Sequence, residues 1–156
     1  MVILDTSAII YLNDFRSFKN IYTVPEVIDE VRDGVSKLKL SGMNIKIIEP
    51  NEKSIGKIKN IAKRTGDLKK LSDTDKKVLA LALEKNDEII SDDYNIQNVA
   101  ERLKIRYTSL FNKKISRFIE WKNYCKNCNK YFEKEICPIC GSRLSRRAKR
   151  QVKVYK

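Results

Sequence analysis

Apolar residues in this chain come in short runs separated by stretches of helical spacing. Val2-Ile3-Leu4 ends abruptly at Asp5, and Thr6 and Ser7 behind it can cap a helix from Ala8 to Leu12. Ile21 to Val24 reads as a second strand, and Pro25 opens a helix at the first-turn position that proline tolerates. After the Ser41-Gly42 break, Ile45 to Ile48 reads as a third strand, with Glu52 to Lys63 helical behind it. Thr65-Gly66-Asp67 makes a turn. Val78, Leu79, Leu81, Ala82 and Leu83 make the helix after Leu71 apolar on most sides, as packing between a sheet and its neighbours requires. Glu88 to Ile90 is a fourth strand, Tyr94 to Leu103 a helix, and Lys104 to Thr108 a fifth strand. Phe111, Ile115, Phe118 and Ile119 complete the pattern as an amphipathic helical turn set. Strands alternating with helices predict an α/β fold with a parallel sheet and right-handed crossovers.

Composition adds a second module. A chain of 156 residues accommodates one ordinary domain plus a small one. All four cysteines fall in one cluster, Cys125-x2-Cys128-x8-Cys137-x2-Cys140, and the chain has no histidine. Two Cys-x-x-Cys pairs on facing turns suit a closed tetrahedral zinc site with structural, not catalytic, work. The competing reading is two disulfides, which need an oxidising compartment. Met1-Val-Ile-Leu reaches the charge of Asp5 too soon for the apolar region of a signal peptide, which favours a reducing, cytoplasmic setting. No apolar run approaches the roughly 18 residues that span a bilayer, so no membrane is expected.

Charge is unevenly placed. Residues 1–109 carry 19 basic and 17 acidic side chains, whereas residues 110–156 carry 14 basic and 3 acidic. Arg143, Arg146, Arg147, Lys149, Arg150, Lys153 and Lys156 follow one another with no acid among them. Such a field wants a polyanion; the alternative is a solvated tail that only aids solubility. A membrane surface fits less well, because the segment lacks an amphipathic face and a lipidation motif. Nucleic acid is the favoured partner. Tyr124, Tyr131 and Phe132 either form the small module's core or stack on unpaired bases.

The acids of the first part form the other candidate site. In an open parallel sheet, ligand-serving side chains gather beyond the carboxyl ends of the strands. Asp5 follows strand one, Asp92 and Asp93 follow strand four, Glu26 and Glu30 lie on the helix after strand two, and Asp73 and Asp75 open the helix before strand four. Carboxylates brought together repel, and a hard divalent cation such as magnesium or manganese relieves that repulsion. Water activated by such an ion can hydrolyse a phosphodiester. Plainer roles compete: Ser72-Asp-Thr-Asp75 has capping-box form, Asp93 can cap the next helix, and Glu26 favours its helix's positive end. Asp5, at the end of a buried strand, is the hardest to explain structurally.

In order and spacing, Asp5-Thr-Ser, Glu30, Asp75 and Asp93 resemble the PIN-domain nucleases. More narrowly they resemble the Nob family of small-ribosomal-subunit maturation endonucleases, a PIN domain followed by a zinc ribbon. The narrower resemblance is carried by Glu26-Val-Ile-Asp-Glu-Val-Arg-Asp33, Leu71-Ser-Asp-Thr-Asp-Lys-Lys-Val-Leu-Ala-Leu-Ala82, Ser91-Asp-Asp-Tyr-Asn-Ile-Gln-Asn98 and Cys137-Pro-Ile-Cys-Gly141. The compact chain resembles archaeal members. The resemblance implies a PIN-type Rossmann-like sheet over residues 1–119, a zinc ribbon over 120–144 and a basic tail over 145–156. It selects Asp5, Glu30, Asp75 and Asp93 as catalytic ligands of magnesium or manganese, and Cys125, Cys128, Cys137 and Cys140 as ligands of one structural zinc. It also implies endonucleolytic cutting of pre-ribosomal RNA at the 3′ end of small-subunit RNA. Lys122, Lys126, Lys130, Arg143, Arg146, Arg147, Lys149 and Arg150 are expected to hold that RNA, with ribosome assembly proteins as further partners.

Overall fold

The computed structural model describes residues 1–111 and 114–154; Lys156, counted above among the basic residues, lies outside them. Five parallel strands, β1 (Val2–Leu4), β2 (Ile21–Thr23), β3 (Ile45–Ile47), β4 (Glu88–Ile90) and β5 (Tyr107–Thr108), form one sheet in the order β3-β2-β1-β4-β5. Strand order reverses at β1, so the crevice beyond Leu4 and Ile90, which are paired in register, is where a ligand site belongs. Helices α1 (Thr6–Tyr11), α2 (Pro25–Glu30), α3 (Gly34–Ser41), α4 (Glu52–Thr65), α5 (Asp73–Lys85) and α6 (Tyr94–Leu103) connect the strands. No helix among the described residues is long and apolar enough to cross a membrane.

The core explains the near-continuous apolar runs. Ile3, Leu4, Ile9, Leu79, Leu81 and Ile89 are wholly buried, and so is every residue of α5 from Val78 to Ala82. A helix buried on so many sides shows little amphipathic contrast, as its sequence suggested. Ends are set by local chemistry. Ser72 and Asp75 close a reciprocal capping box at the start of α5, and Gly66, at φ 80°, ends α4. Gly66 also has no room for a side chain, since a Cβ there would lie 2.2 Å from the Trp121 carbonyl oxygen. Helix α2 stops after six residues, where buried Val31 turns inward and Asp33 caps α3 through the Ser36 N–H.

Two expectations need correcting in the C-terminal part. Phe118 and Ile119 are not helical but belong to β6 (Arg117–Cys125), and Phe111 and Ile115 lie in irregular backbone. The reason is a distant residue. Buried Asn98 on α6 accepts from the Ile119 N–H at 2.9 Å and donates to its carbonyl at 2.9 Å, occupying both groups that a helix would use. Residues 145–153 are not a separate tail: they form β8 (Ser145–Lys153), antiparallel to β6 from Arg117↔Lys153 to Tyr124↔Ser145. With β7 (Lys130–Phe132) they make a three-stranded sheet, β7-β6-β8, whose first strand in the chain starts at Arg117. Tyr124 and Tyr131 pack against each other within it, ring centroids 4.9 Å apart.

The two modules are joined through a buried carboxylate. Asp67, 1% exposed, accepts from Asn98 Nδ2 at 2.6 Å and from the Arg146 guanidinium at 2.5 Å. Arg146 in turn lies over the Trp121 ring, 4.3 Å from its centroid.

Candidate functional site

Asp5 leaves β1 at the sheet's switch point and serves as N-cap of α1, its Oδ1 accepting from the Ala8 N–H at 2.7 Å and the Ser7 hydroxyl at 2.8 Å. It is 6% exposed. Burial drives its carboxyl above the ordinary aspartate value, the charge of Asp75 adds to the rise, and hydrogen bonds from Ser91, Ala8 and Ser7 oppose it. The same balance holds at Asp75: burial raises its carboxyl most, and Asp93 and Glu30 raise it further against the bonds from Ser72. Asp75 therefore feels the charges of carboxylates from two other segments, and Asp5 feels that of Asp75.

Glu30, the last residue of α2, is fastened from two directions. Its Oε2 accepts from Thr6 Oγ1 at 2.5 Å and its Oε1 from Thr74 Oγ1 at 2.6 Å. Thr6 is the neighbour of Asp5 and Thr74 the neighbour of Asp75, so Glu30 is tied to the segments that carry both. Asp93, half-buried, caps α6 by accepting from the Asn95 backbone and side chain at 2.5 and 2.9 Å.

The rival acids are engaged elsewhere. Glu26 pairs with Lys77, which also holds Glu49, and these bonds keep the Glu26 carboxyl below its ordinary value against the opposing effect of burial. Asp73 is exposed and pairs with Lys76. Asp92 accepts from the Ser109 hydroxyl and from the Leu110 and Phe111 N–H groups at 3.0 and 3.2 Å, holding the chain beyond β5. The two lysines of α5 nearest Asp75 thus serve other carboxylates. An all-oxygen donor set carrying unrelieved negative charge fits a hard divalent cation. The carboxylates are spread more widely than the thiols: among the described residues, only the cysteines draw three or more ligand atoms within 4.8 Å of one another.

The hydroxyl groups that orient the acids were not among the expected site residues. Thr6, Ser7, Thr74 and Ser91 all act there, and three of the four sit immediately beside a named acid. That adjacency was the available signal.

The four cysteine sulfurs lie within 4.8 Å of one another, with Cys125 to Cys140 at 3.5 Å and Cys128 to Cys137 at 3.8 Å. A tetrahedron of zinc–sulfur bonds near 2.3 Å has edges of about 3.8 Å, so the set fits zinc with no place for another ligand. Each Cys-x-x-Cys turn is followed by a left-handed residue, Asn129 at φ 52° and Gly141 at φ 71°. The Cys128 N–H points at Cys125 Sγ, 3.4 Å away.

The expected RNA-holding cations divide into two groups. Lys126, Lys130, Arg143, Lys149 and Arg150 are exposed. Lys122 instead pairs with Glu133, Arg146 is committed to buried Asp67, and Arg147 lies over the Tyr124 ring at 4.4 Å.

Comparison with known proteins agrees with this geometry. The family model described as the PIN domain of ribonuclease matches residues 2–84. "Endoribonuclease Nob1" of Archaeoglobus fulgidus is 42% identical over 145 residues, covering 90% of this chain and 86% of that protein. "Ribonuclease VapC1" of Thermoplasma acidophilum is 35% identical over 92% of this chain and 76% of its own length. "20S-pre-rRNA D-site endonuclease nob1" of Schizosaccharomyces pombe is 34% identical over 62% of this chain, which matches 26% of that longer protein. The chain is an endoribonuclease with a PIN domain, and it belongs to the Nob1 family.

Proposed function

We propose that this endoribonuclease cuts precursor RNA of the small ribosomal subunit at the 3′ end of the 16S-type RNA. The family membership and the pre-rRNA named for the Schizosaccharomyces pombe relative support that substrate. In this reading Asp5, Glu30, Asp75 and Asp93 hold one or two magnesium or manganese ions. The observation that carries it is Glu30, bonded at once to Thr6 beside Asp5 and to Thr74 beside Asp75. When bound, the cation supplies positive charge and the activation of water.

The chain's own residues supply the rest. Asp5 and Asp75 present carboxylates whose raised pKa values reflect burial and repulsion from other carboxylates, Asp75 acting on Asp5 and Asp93 and Glu30 on Asp75, and this is the charge a dication would compensate. Thr6 and Thr74 fix the orientation of Glu30, and Ser7 that of Asp5. Cys125, Cys128, Cys137 and Cys140 hold zinc, which shapes the ribbon. Lys126, Lys130, Arg143, Lys149 and Arg150 grip phosphates, so affinity falls with salt at a slope of about −0.7 to −0.9 per phosphate neutralised. Phosphate contacts carry no sequence information, so the cut site is chosen by position. Ribosome assembly proteins are the further partners, and the cytoplasm is the setting.

The test is cleavage of a short RNA spanning the small-subunit 3′ end, with magnesium or manganese and with a chelator, for the wild type and Asp5→Asn. Metal-dependent cutting at the mature end by the wild type alone supports the proposal; equal cutting by Asp5→Asn sinks the site assignment. A second reading is a toxin-type ribonuclease acting on transfer or messenger RNA; the Thermoplasma acidophilum relative is named only as a ribonuclease, with no ribosomal substrate in its name. Preferential cutting of those RNAs in the same assay would establish it.

A further inference from the structure

Away from the acidic site, a cleft of about 440 Å³ opens where the α4–α5 connection meets the ribbon. Its apolar wall is made by Leu68 of the connection and by Trp121 and Phe132 of β6 and β7. Lys63, Lys70 and Arg143 stand at its rim, all three exposed. Other cations around it are already matched: Lys69 to Glu135, Lys122 to Glu133 and Arg146 to Asp67. Among the described residues, Lys63, Lys70 and Arg143 have no carboxylate within ion-pair distance, so both acids that line the cleft are spent on other partners while three positive charges remain. A flat apolar wall under an uncompensated cationic rim is complementary to one kind of ligand in particular, a base with its phosphates. The volume falls in the range of about 300–1,000 Å³ typical of small-ligand sites, enough for one nucleotide but not for a paired helix.

We propose that this interdomain cleft receives a single unpaired nucleotide of the RNA substrate, its base against Trp121, Phe132 and Leu68 and its phosphates on Lys63, Lys70 and Arg143. The proposal rests on the chain's being an RNA-cutting enzyme, not on which RNA it cuts. The wall is built before the ligand arrives. Arg146 holds the Trp121 ring from one side and is itself fixed by buried Asp67, so little side-chain freedom remains to be lost on binding. Gly66 lets the Trp121 backbone come so close to the connection that any side chain would separate the two walls. The cleft therefore reads unpaired RNA at the junction of the modules, while exposed cations of the ribbon hold phosphates whether or not the strand is paired.

Trp121 is the one tryptophan in the chain, so its fluorescence reports on this cleft directly. Full-length, zinc-loaded Asp5→Asn protein, with magnesium and manganese withheld to keep the RNA intact, is titrated with a single-stranded oligoribonucleotide and with a blunt duplex of equal length. Anisotropy of an RNA label reads binding anywhere on the molecule. The single strand is expected to shift or quench Trp121 emission saturably, over the range in which anisotropy rises. The duplex is expected to raise anisotropy with little change in emission. Lys70→Glu combined with Arg143→Glu should weaken the emission change by at least about tenfold with an unaltered melting temperature. If that variant does not fold, the contrast between single strand and duplex still decides. Rising anisotropy with unchanged Trp121 emission, or equal changes with duplex, overturns the cleft assignment alone. No rise in anisotropy with either RNA overturns it together with the proposed RNA-holding role of the ribbon.

Discussion

Thr74 Oγ1 donates to Glu30 Oε1 at 2.6 Å, joining residues that are 44 positions apart in the chain. With the Thr6 bond to the other oxygen, Glu30 is held against the segments that carry Asp5 and Asp75. Replacing Thr74 by valine keeps the shape but removes the donor. Cleavage should then fall by about 10–100-fold, the range for loss of a group that orients a metal ligand. Activity should recover partly at high manganese, while the melting temperature moves little. Full activity in Thr74→Val at low metal would show that Glu30 needs no such support.

The raised pKa values of Asp5 and Asp75 make a stability prediction with a definite sign. A carboxyl that is higher in the folded than in the unfolded state binds more protons when folded, so its contribution is lost as pH rises from the ordinary aspartate value of 3.8 through the folded value. At neutral pH, without a divalent cation at the site, the ionised acids are therefore a net cost. Asp5→Asn keeps an N-cap residue while deleting the charge. It should melt at the same or a higher temperature than wild type at neutral pH, with the advantage shrinking toward acid pH, and should lose cleavage by more than about 100-fold. A melting temperature that drops at neutral pH would mean that the Asp5 charge is structurally favourable.

Two arginines four positions apart on β8 should behave differently. Arg150→Ala removes an exposed cation and should weaken RNA binding, reducing the salt slope by about 0.7–0.9, with stability unchanged. Arg146→Ala leaves Asp67 buried without its cation and should cost about 1–3 kcal/mol in chemical denaturation. Equal effects of the two on RNA affinity alone would refute the structural role of Arg146.

Zinc content should be one ion per chain. Its removal should melt the two cysteine turns and β7 and weaken RNA binding, leaving the melting transition of the N-terminal sheet in place. Calorimetry before and after chelation separates the transitions; identical traces would contradict a zinc-built ribbon.

What could be read from sequence was governed by how local the cause was. β4 and α6 have the expected limits, because Ser91-Asp92-Asp93 ends the strand and Lys104, at φ 59°, ends the helix. Cysteine spacing likewise foretold a cluster whose members lie on adjacent turns. Asp5 stood out because a charge ending a buried strand has no local explanation. The choice of Glu30 over Glu26 was beyond periodicity, since both lie on α2; family resemblance favoured Glu30, and in the structure Lys77, from 51 positions away, engages Glu26. The segment from Phe111 to Ile119 had helical spacing, but Asn98 holds the Ile119 backbone in an extended form. β8 was invisible because its side chains are mostly charged and exposed; its order comes from the backbone ladder to β6, which leaves no apolar alternation to read.

Carboxylates from separate segments are proposed to share divalent cation binding. Manganese titration followed by electron paramagnetic resonance, on zinc-loaded wild type, Asp5→Asn and Asp75→Asn, tests it most directly. Saturable binding by the wild type that is lost in both variants, with zinc content unchanged, is the predicted result. Equal manganese binding by all three proteins would contradict it.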